Sequence, residues 1–270
     1  MVSGKYEFRD YELVVPSWYD GSEPVPLVLS LHGYTGSGPV QESYFRLGPL
    51  AEERGFLLVT PNGTFDAAGS RFWNATDACC NFGGAEVDDV AHLLGLVDEI
   101  SAAYEVDPLR IHLVGHSNGG FMSYRMACEH ADVFASVVSL AGATLADAAA
   151  CAPSEPVGVV QVHGTQDQVI RFEGGSTPGG PYPGAIDTVS AWAAANGCGA
   201  AEPSTAPVLD LDDGRPGADS TITAFTGCPA GGAVELWTIV DGAHVPPLSD
   251  GFRIAVVDAV LANPKPPGSG

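Results

Sequence analysis

The segment from Arg110 to Met122 constrains the fold of this chain more than any other. An apolar, β-branched stretch runs into Gly115-His116-Ser117-Asn118-Gly119, and helix-compatible residues follow. A strand that turns sharply into a helix needs residues without a Cβ on both sides of the turn, and glycine meets that need. The order predicts a nucleophile elbow that exposes Ser117 at the carboxyl end of a sheet. The N-terminus of the next helix would face any anion formed there.

Strands and helices are predicted to alternate along the chain. The predicted strands are Tyr6–Val15, Val25–Leu31, Phe56–Thr60, Ile111–Val114, Val133–Leu140, Val157–Val162 and Val234–Val240. The predicted helices are Tyr44–Arg54, Glu86–Tyr104, Phe121–His130, Ile186–Asn196 and Phe252–Ala262. This alternation indicates an α/β fold, a mostly parallel, doubly wound sheet in one domain over residues 1–262. Residues 263–270 have the composition of a linker or tag remnant.

Two further side chains follow predicted strands and complete a hydrolytic site. Asp167 comes just after Val157–Val162, and His244 comes just after Val234–Val240. A serine hydroxyl needs a base to take its proton, and the base needs a carboxylate that fixes its tautomer. We therefore predict Ser117 as nucleophile, His244 as base and Asp167 as the orienting acid. This chain order is that of an α/β-hydrolase.

Seven histidines compete for the role of base, and their positions separate them. His92, His112 and His130 fall within or at the end of predicted elements, so we predict structural roles for them. Asp241 is a rival acid, but it lies too close to His244 in sequence to orient it easily.

An oxyanion hole requires two fixed N–H donors. The backbone of Asn118 supplies one by elbow geometry, and the loop after Val25–Leu31 supplies the other through Tyr34, with Thr35 as the alternative. We assign Trp73, Thr35 and His116 to substrate binding, with Trp73 and Tyr34 stacking on an apolar or aromatic acyl group. Packing within its own loop is the alternative role for Trp73.

The charge of the chain argues against several kinds of partner. It has 33 acidic and 11 basic residues and a formal net charge of −22. Such a surface suits neither nucleic acid nor anionic lipid, and no apolar run is long enough to span a membrane. We expect a monomer without cofactor or metal. The acidic residues Asp210, Asp212, Asp213 and Asp219 lack the spacing of a calcium loop and are predicted to form a solvated turn.

Six cysteines and no zinc-like spacing favour disulfides or buried thiols. We favour the pairs Cys198–Cys228 and Cys128–Cys151, which leave Cys79 and Cys80 as a vicinal pair or as two free thiols. Disulfides would place the chain in an oxidising setting. We therefore expect a secreted chain. Residues 1–10 lack the hydrophobic region of a signal peptide, so we expect that the signal is not part of this sequence.

Several segments together resemble one esterase family. They are His32-Gly33 with its Gly/Ser-rich loop, Phe72 to Cys80, Val87 to Val90, Gly115 to Gly120, and His163-Gly164-Thr165 with Asp167. The chain from about Tyr11 to Ala262 resembles the polyhydroxybutyrate depolymerase-like esterases, which are related to the feruloyl and acetylxylan esterases of carbohydrate esterase family 1. The resemblance implies a secreted serine esterase without a cofactor. Many members carry a tryptophan-proline pair after the catalytic histidine, where this chain has Val245-Pro246-Pro247.

From these observations we expect a carboxylic-ester hydrolase whose substrate is a polyester or its oligomers. The alternative is a feruloyl or acetylxylan esterase that acts on plant cell wall. The gap between Gly142 and Pro156 is too short for a lid domain, so a bulky chain can reach Ser117. An acyltransferase and a catalytically silent binding protein are the competing functional classes.

Overall fold

Among the residues that the computed structural model describes, which are 1–6 and 9–268, ten strands form one mixed sheet and four more form two small hairpins. The strands are β1 (Val2–Tyr6), β2 (Arg9–Val14), β3 (Val25–Leu31), β4 (Leu57–Pro61), β5 (Thr64–Phe65), β6 (Arg71–Phe72), β7 (Val106–His116), β8 (Ser136–Leu140), β9 (Gly158–Gly164), β10 (Gly174–Thr177), β11 (Gly180–Pro183), β12 (Ala201–Pro203), β13 (Ser220–Phe225) and β14 (Val234–Ile239). The helices are α1 (Gly38–Phe45), α2 (Gly48–Arg54), α3 (Asp89–Ala103), α4 (Asn118–Glu129), α5 (Ala185–Asn196) and α6 (Asp250–Leu261), with one 3-10 turn at Ala148–Ala150.

The large sheet has the strand order β1-β2-β4-β3-β7-β8-β9-β14-β13-β12. Its central strands β4, β3, β7, β8, β9 and β14 are parallel. The strands outside them pair antiparallel. Strands β3, β8 and β9 are buried along their whole length, because hydrophobic clusters cover both faces of the sheet. The predicted α/β architecture is therefore confirmed.

The connections after the parallel strands meet at one edge of the sheet. His32 follows β3, Ser117 follows β7, and Asp167 and His244 follow β9 and β14 after short turns. Side chains at the carboxyl ends of parallel strands share one edge, so the topology brings these four residues together.

The N-terminal and α1–α2 regions differ from the predicted elements. Tyr6–Val15 was predicted as one strand, whereas β1 and β2 form an antiparallel hairpin, and residues 7–8 of that prediction lie outside the described residues. Tyr44–Arg54 was predicted as one helix, but the chain forms α1 and α2 instead. Arg46 adopts left-handed backbone with φ 52°, and the Pro in the first turn of α2 suits a new helix start.

Strands were also missed where glycine, proline and polar residues dominate. No strand was predicted in segment 172–184, but it contains the β10–β11 hairpin. The polar stretch 198–219 contains β12, and β13 follows it. These strands lie at the edge of the large sheet or outside it, where they need less apolar sequence than the central strands.

The segment after α6 packs on the domain. The backbone N–H of Lys265 donates to the Leu109 carbonyl at 2.8 Å. Its buried ammonium group contacts the Ala131 carbonyl and forms an ion pair with Glu155. The segment predicted as a linker is therefore in contact with the domain at least as far as Lys265. Residues 269–270 lie outside the described residues.

All six cysteines lie in the described part of the chain and are paired. Cys128 bonds to Cys151 and Cys198 bonds to Cys228, as predicted. Cys79 and Cys80 form a vicinal pair, which decides between the two alternatives for them. Among the described residues, none of the helices combines the length and the apolar character needed to cross a bilayer.

Candidate active site

Ser117 lies in the strained turn that the sequence predicts. Its backbone has φ 52° and ψ −117°, and its N–H donates to the Leu140 carbonyl at 2.8 Å. The flanking glycines are required by close backbone packing. A Cβ on Gly115 would lie 2.2 Å from the Gly119 carbonyl oxygen, and a Cβ on Gly119 would lie 2.1 Å from that of Leu31. The elbow therefore fits against β3 only with glycine at both positions.

The structure brings the predicted serine, histidine and aspartate into one hydrogen-bonded chain. Ser117 Oγ lies 3.0 Å from His244 Nε2, and His244 Nδ1 lies 2.7 Å from Asp167 Oδ2. The carboxylate accepts the Nδ1 proton, so Nε2 is free to accept the proton of the serine hydroxyl. These are the contacts of a nucleophile, a base and an orienting acid.

Asp167 is held ionised by its neighbours. Its Oδ1 accepts from the backbone N–H groups of Val169 and Ile170 at 2.8 and 2.9 Å. Burial alone would raise the pKa of Asp167, but hydrogen bonds from His163 and His244 and the charge interaction with His244 outweigh it, so the pKa is lowered. Asp167 is therefore a carboxylate at physiological pH.

His163 supports Asp167 from behind. Its Nε2 lies 2.7 Å from the Ile170 carbonyl oxygen and 3.3 Å from Asp167 Oδ2, and its Nδ1 lies 2.9 Å from Gln161 Nε2. A carbonyl can only accept, so His163 carries its proton on Nε2 and accepts from Gln161 on Nδ1. His163 therefore holds the loop that carries Asp167 through the Ile170 carbonyl and the carboxylate itself.

The rival groups occupy other positions. The side chain of Asp241 is largely exposed and forms an ion pair with Arg215. His112 is buried in β7 with its Nδ1 2.8 Å from Ser136 Oγ. Asp88 caps α3, because its side chain accepts from the Ala91 N–H at 2.9 Å.

The contacts of the loop after β3 separate the two donors that were predicted there for the oxyanion hole. The N–H of Thr35 already donates to the Arg71 carbonyl at 2.8 Å, which leaves Tyr34 as the candidate donor. Asn118 is the first residue of α4, where backbone N–H groups have no partner within the helix. The phenol of Tyr34 donates to Asp66 Oδ2 at 2.8 Å, which fixes the tyrosine ring beside the serine.

Trp73 packs inside the loop and does not face substrate. Its side chain has no exposed surface, and its Nε1 donates to the His32 carbonyl at 3.0 Å. The Asn118 side chain accepts from the Trp73 N–H at 2.7 Å and donates to its carbonyl at 2.9 Å. The assignment of Trp73 to substrate stacking was wrong, because the residue ties the 64–85 loop to the elbow and the oxyanion loop instead.

His32 is also part of this support. Its Nδ1 donates to the Gly33 carbonyl at 2.8 Å, and its Nε2 accepts from the Gly63 N–H at 2.9 Å. Burial lowers the pKa of His32 to about 4, so the ring is neutral at physiological pH. Only the neutral tautomer with a proton on Nδ1 satisfies both contacts.

An open cleft of about 690 Å³ surrounds Ser117. Thr35 and His116, which were assigned to substrate binding, both line it. Its other lining side chains are largely apolar or uncharged and include Tyr34, Tyr44, Val40, Val169 and Val245. The cleft thus presents an uncharged surface although the chain as a whole is strongly acidic.

In the acidic turn, residues 210–219, two carboxylates accept hydrogen bonds from the backbone of the turn itself. Asp219 accepts from the backbone N–H groups of Leu211 and Asp212. Asp212 accepts from Gly214 N–H at 2.8 Å and lies 3.5 Å from Arg215 Nε. These two carboxylates therefore organise the turn through its own backbone.

A comparison with known families identifies the chain. The family model described as Esterase PHB depolymerase matches residues 10–194. This chain belongs to that esterase family. The matched region contains Ser117, Asp167 and the oxyanion loop, and the His244 segment lies beyond it.

Curated relatives of this family member include feruloyl esterase B of Piromyces equi, 30% identical over 237 residues, which cover 85% of this chain and 41% of the relative. A second is the putative esterase NocK of Nocardia uniformis subsp. tsuyamanensis, 31% identical over 210 residues, 78% of this chain and 53% of the relative. The chain thus spans about half the length of these relatives. Among solved structures, an acetyl xylan esterase from Aspergillus awamori superposes with a TM-score of 0.67 at 17% identity and 93% coverage of both chains. That likeness confirms the α/β-hydrolase fold.

Two features that matter for this site escaped sequence analysis. They are Tyr44 beside His116 and the side chain of Asn118. Tyr44 was predicted only as the first residue of a helix. Asn118 was predicted to contribute its backbone N–H, and no local sequence pattern indicates that its side-chain amide forms two hydrogen bonds with the backbone of Trp73. Each acts through a contact with a distant segment.

Proposed function

We propose that this chain is a serine carboxylic-ester hydrolase that releases feruloyl or acetyl groups from plant cell-wall polysaccharide. The observation that carries the proposal is the chain of contacts from Ser117 Oγ through His244 to Asp167, at 3.0 and 2.7 Å. Membership of an esterase family supports the same chemistry.

The proposed reaction begins with Ser117 Oγ attacking the ester carbonyl carbon while its proton passes to His244 Nε2. The resulting oxyanion accepts hydrogen bonds from the backbone N–H groups of Tyr34 and Asn118. The imidazolium then gives the proton to the leaving alcohol oxygen, and an acyl-enzyme remains. Water next loses a proton to His244, attacks the acyl carbon, and releases the acid as Ser117 regains its proton. Asp167 keeps the imidazole in the required tautomer throughout.

The relatives change the expected substrate. The sequence led us to prefer a polyester, but one relative described above is a feruloyl esterase by name and the structural neighbour is an acetyl xylan esterase by name, and both names favour the cell-wall alternative. The cleft agrees with an aromatic acyl group, because Val40, Val169 and Val245 are 60%, 61% and 57% exposed around the serine. Apolar side chains exposed beside a nucleophile gain free energy when a substrate covers them.

A polyester remains the second candidate. The family description names polyhydroxybutyrate depolymerase, and the open cleft leaves room for a polymer chain. Three disulfides support a secreted location for either activity, since disulfides persist in oxidising compartments.

The test is hydrolysis of a matched panel by the wild-type chain and by Ser117→Ala. The panel contains methyl ferulate, acetylated xylan, p-nitrophenyl acetate and butyrate, emulsified polyhydroxybutyrate and an aromatic polyester. We expect methyl ferulate or acetylated xylan to give the highest kcat/KM, and Ser117→Ala to lose about 10⁶-fold. An organophosphonate should label the wild type once per chain, at Ser117.

Faster turnover of a polyester would reverse the order of the two substrates. Transfer of the acyl group to an added alcohol in place of water would indicate an acyltransferase. A wild-type chain that neither cleaves an ester nor takes up the phosphonate would overturn the proposed function.

A further inference from the structure

The segment between β14 and α6 carries His244, and two side chains from elsewhere hold its backbone. The Tyr44 hydroxyl lies 2.9 Å from the Pro246 carbonyl oxygen. His116 Nε2 lies 3.1 Å from the His244 carbonyl oxygen. Tyr44 belongs to α1 and His116 is the last residue of β7, so both contacts join parts of the chain more than 120 residues apart.

The chemistry of these contacts fixes the protonation of both side chains. A backbone carbonyl can only accept, so His116 must carry a proton on Nε2 and Tyr44 must carry its phenolic proton. Burial raises the pKa of the Tyr44 phenol, with the charge of Asp212 adding to the effect. Burial also lowers the pKa of His116 to about 4, and His244 beside it acts in the same direction. A neutral His116 is therefore compatible with a neighbour that becomes an imidazolium during the reaction.

The three rings form a continuous row. The centroids of Tyr44 and His116 are 5.3 Å apart with an edge arrangement, and those of His116 and His244 are 5.1 Å apart. On its other side His116 approaches the oxyanion loop, since a Cβ on Gly33 would lie 3.0 Å from its Nδ1. His116 is thus packed between the loops that carry the base and the proposed oxyanion donor.

We propose that Tyr44 and His116 form a backbone clamp that positions His244 for proton transfer. Asp167 fixes the ring of His244 at Nδ1, and the clamp fixes its main chain, so the two together set the distance from Nε2 to Ser117 Oγ. Both are positioning residues, because neither needs to touch the reacting atoms. The inference rests on the proposed function where it is tested by ester hydrolysis. The NMR test of the His244 hydrogen bond depends only on the contacts described above.

The experiment compares Tyr44→Phe, His116→Gln and His116→Leu with the wild type. Phenylalanine keeps the ring of Tyr44 and removes the donor, glutamine keeps a donor near Nε2 of His116, and leucine removes it. Tyr19→Phe and His130→Gln are the matched controls. Tyr19 accepts from the Glu105 N–H far from the cleft, and His130 ends α4. The measurements are kcat and KM for the best ester, and the proton NMR signal of the Asp167–His244 hydrogen bond.

A small displacement of a reacting group costs up to about 100-fold in rate. We therefore expect kcat to fall about 5-fold in Tyr44→Phe and about 50-fold in His116→Leu, with KM changed less than about 2-fold. His116→Gln should recover most of the loss. The downfield His244 signal should broaden or shift in Tyr44→Phe and His116→Leu but stay in place in His116→Gln and in both controls.

Unchanged kcat and an unchanged His244 signal in Tyr44→Phe and His116→Leu would overturn the clamp. Equal losses in His116→Gln and His116→Leu would also overturn it, since a donor would then be irrelevant. If His116→Leu fails to fold, Tyr44→Phe decides alone. A wild type that cleaves no ester would refute the proposed function, and the NMR signal would still test the clamp.

Discussion

The elbow and the His244 segment each supply one reacting group, but they are held in place in different ways. Ser117 is positioned by the backbone of its own neighbours, because Gly115 and Gly119 pack against adjacent main chain and the serine N–H bonds to β8. His244 is positioned by side chains from distant segments. They include Asp167, Thr165, Tyr44 and His116.

The difference predicts which half of the site is more sensitive to the loss of a single hydrogen bond. A backbone turn is either formed or not, so single side-chain changes around the elbow act mainly through stability. A segment held by separate hydrogen bonds can lose them one at a time, and each loss should lower the rate without unfolding the domain. Mutations in the two regions should therefore separate stability from catalysis.

Among the side chains that position His244, the largest effect is expected from Asp167→Asn. An amide at this position can donate to Nδ1 of His244, which favours the tautomer that cannot accept the serine proton. We expect kcat to fall about 10⁴-fold with little change in KM. Steady-state kinetics with the ester that the wild type cleaves fastest measures both constants.

Asp241→Asn is the matched control. The exposed side chain of Asp241 pairs with Arg215 of the acidic turn, and exposed ion pairs contribute little. Its kcat should stay within about 2-fold of the wild type. A comparable loss in both variants would mean that Asp167 is not the orienting acid.

Acid should affect the elbow side of the molecule before it affects Asp167. Burial lowers the pKa of His32 and His116 to about 4 and that of His112 to about 3. An unfolded histidine titrates near 6.5, so the unfolded chain binds more protons as the pH falls from about 6.5 to about 4. Stability should drop by about 2 kcal/mol for each of these histidines between pH 7 and pH 5. The lowered pKa of Asp167 acts in a lower window, where stability is lost only below the unfolded value near 3.9.

Guanidinium chloride titrations between pH 7.5 and 4.5 give the free energy of unfolding needed for this test. Near pH 5 its slope should approach about 4 kcal/mol per pH unit, the value for three protons. His112→Gln should lower that slope by one proton, whatever its effect on the stability itself. A free energy that stays flat from pH 6.5 to pH 5 would contradict the burial of these histidines.

Sequence analysis was most successful where local pattern and local structure coincide. Val25–Leu31 is a strand with the predicted bounds. A continuous apolar run of this length is buried on both faces only in the centre of the sheet. The glycines around Ser117 predicted the elbow, and the residues after β9 and β14 placed Asp167 and His244 at the right edge. Covalent pairing of Cys128 with Cys151 also followed from proximity in the chain.

It failed where a residue is defined by partners far away in sequence. Trp73 has an aromatic side chain of the kind that stacks on substrates. In the structure its indole bonds to His32 and its backbone bonds to Asn118, which are 41 and 45 residues away. The hairpin β10–β11 consists largely of glycine, proline and small polar residues, which also characterise loops. Tyr44 could be placed on a helix, but its contact with Pro246 spans 202 residues.

Asn118→Ala tests the support of the elbow side. The buried amide of Asn118 bonds to both the N–H and the carbonyl of Trp73. Alanine leaves the N–H without this partner, while the carbonyl keeps its hydrogen bonds from the N–H groups of Ala75 and Cys80. The backbone N–H of residue 118 remains, so the proposed oxyanion donor is kept. We expect the free energy of unfolding to fall by about 3 kcal/mol and kcat to fall about 10-fold, because Trp73 no longer fixes the His32 carbonyl.

Asn196→Ala offers a control of the same chemistry. The buried amide of Asn196 bonds to the N–H and carbonyl of Val157 on the other side of the domain. Denaturant titrations should show a similar loss of stability, while kcat stays at the wild-type value. If kcat falls equally in both variants, the support of Trp73 has no specific link to the reaction.

The smallest effect is expected from Thr165→Val, which removes one contact of the His244 segment and keeps the shape of the side chain. Thr165 Oγ1 accepts from the Asp241 N–H at 2.8 Å, at the point where Asp241 adopts left-handed backbone with φ 55°. Loss of one neutral hydrogen bond costs about 1 kcal/mol, and a segment with several other contacts should move little. We expect kcat to fall about 3-fold, and Thr165→Ser, which keeps the hydroxyl, to retain the wild-type value. Combined with Tyr44→Phe, Thr165→Val should lower kcat by more than the product of the single effects, because fewer contacts then share the same segment. A purely multiplicative result would mean that the contacts hold the segment independently.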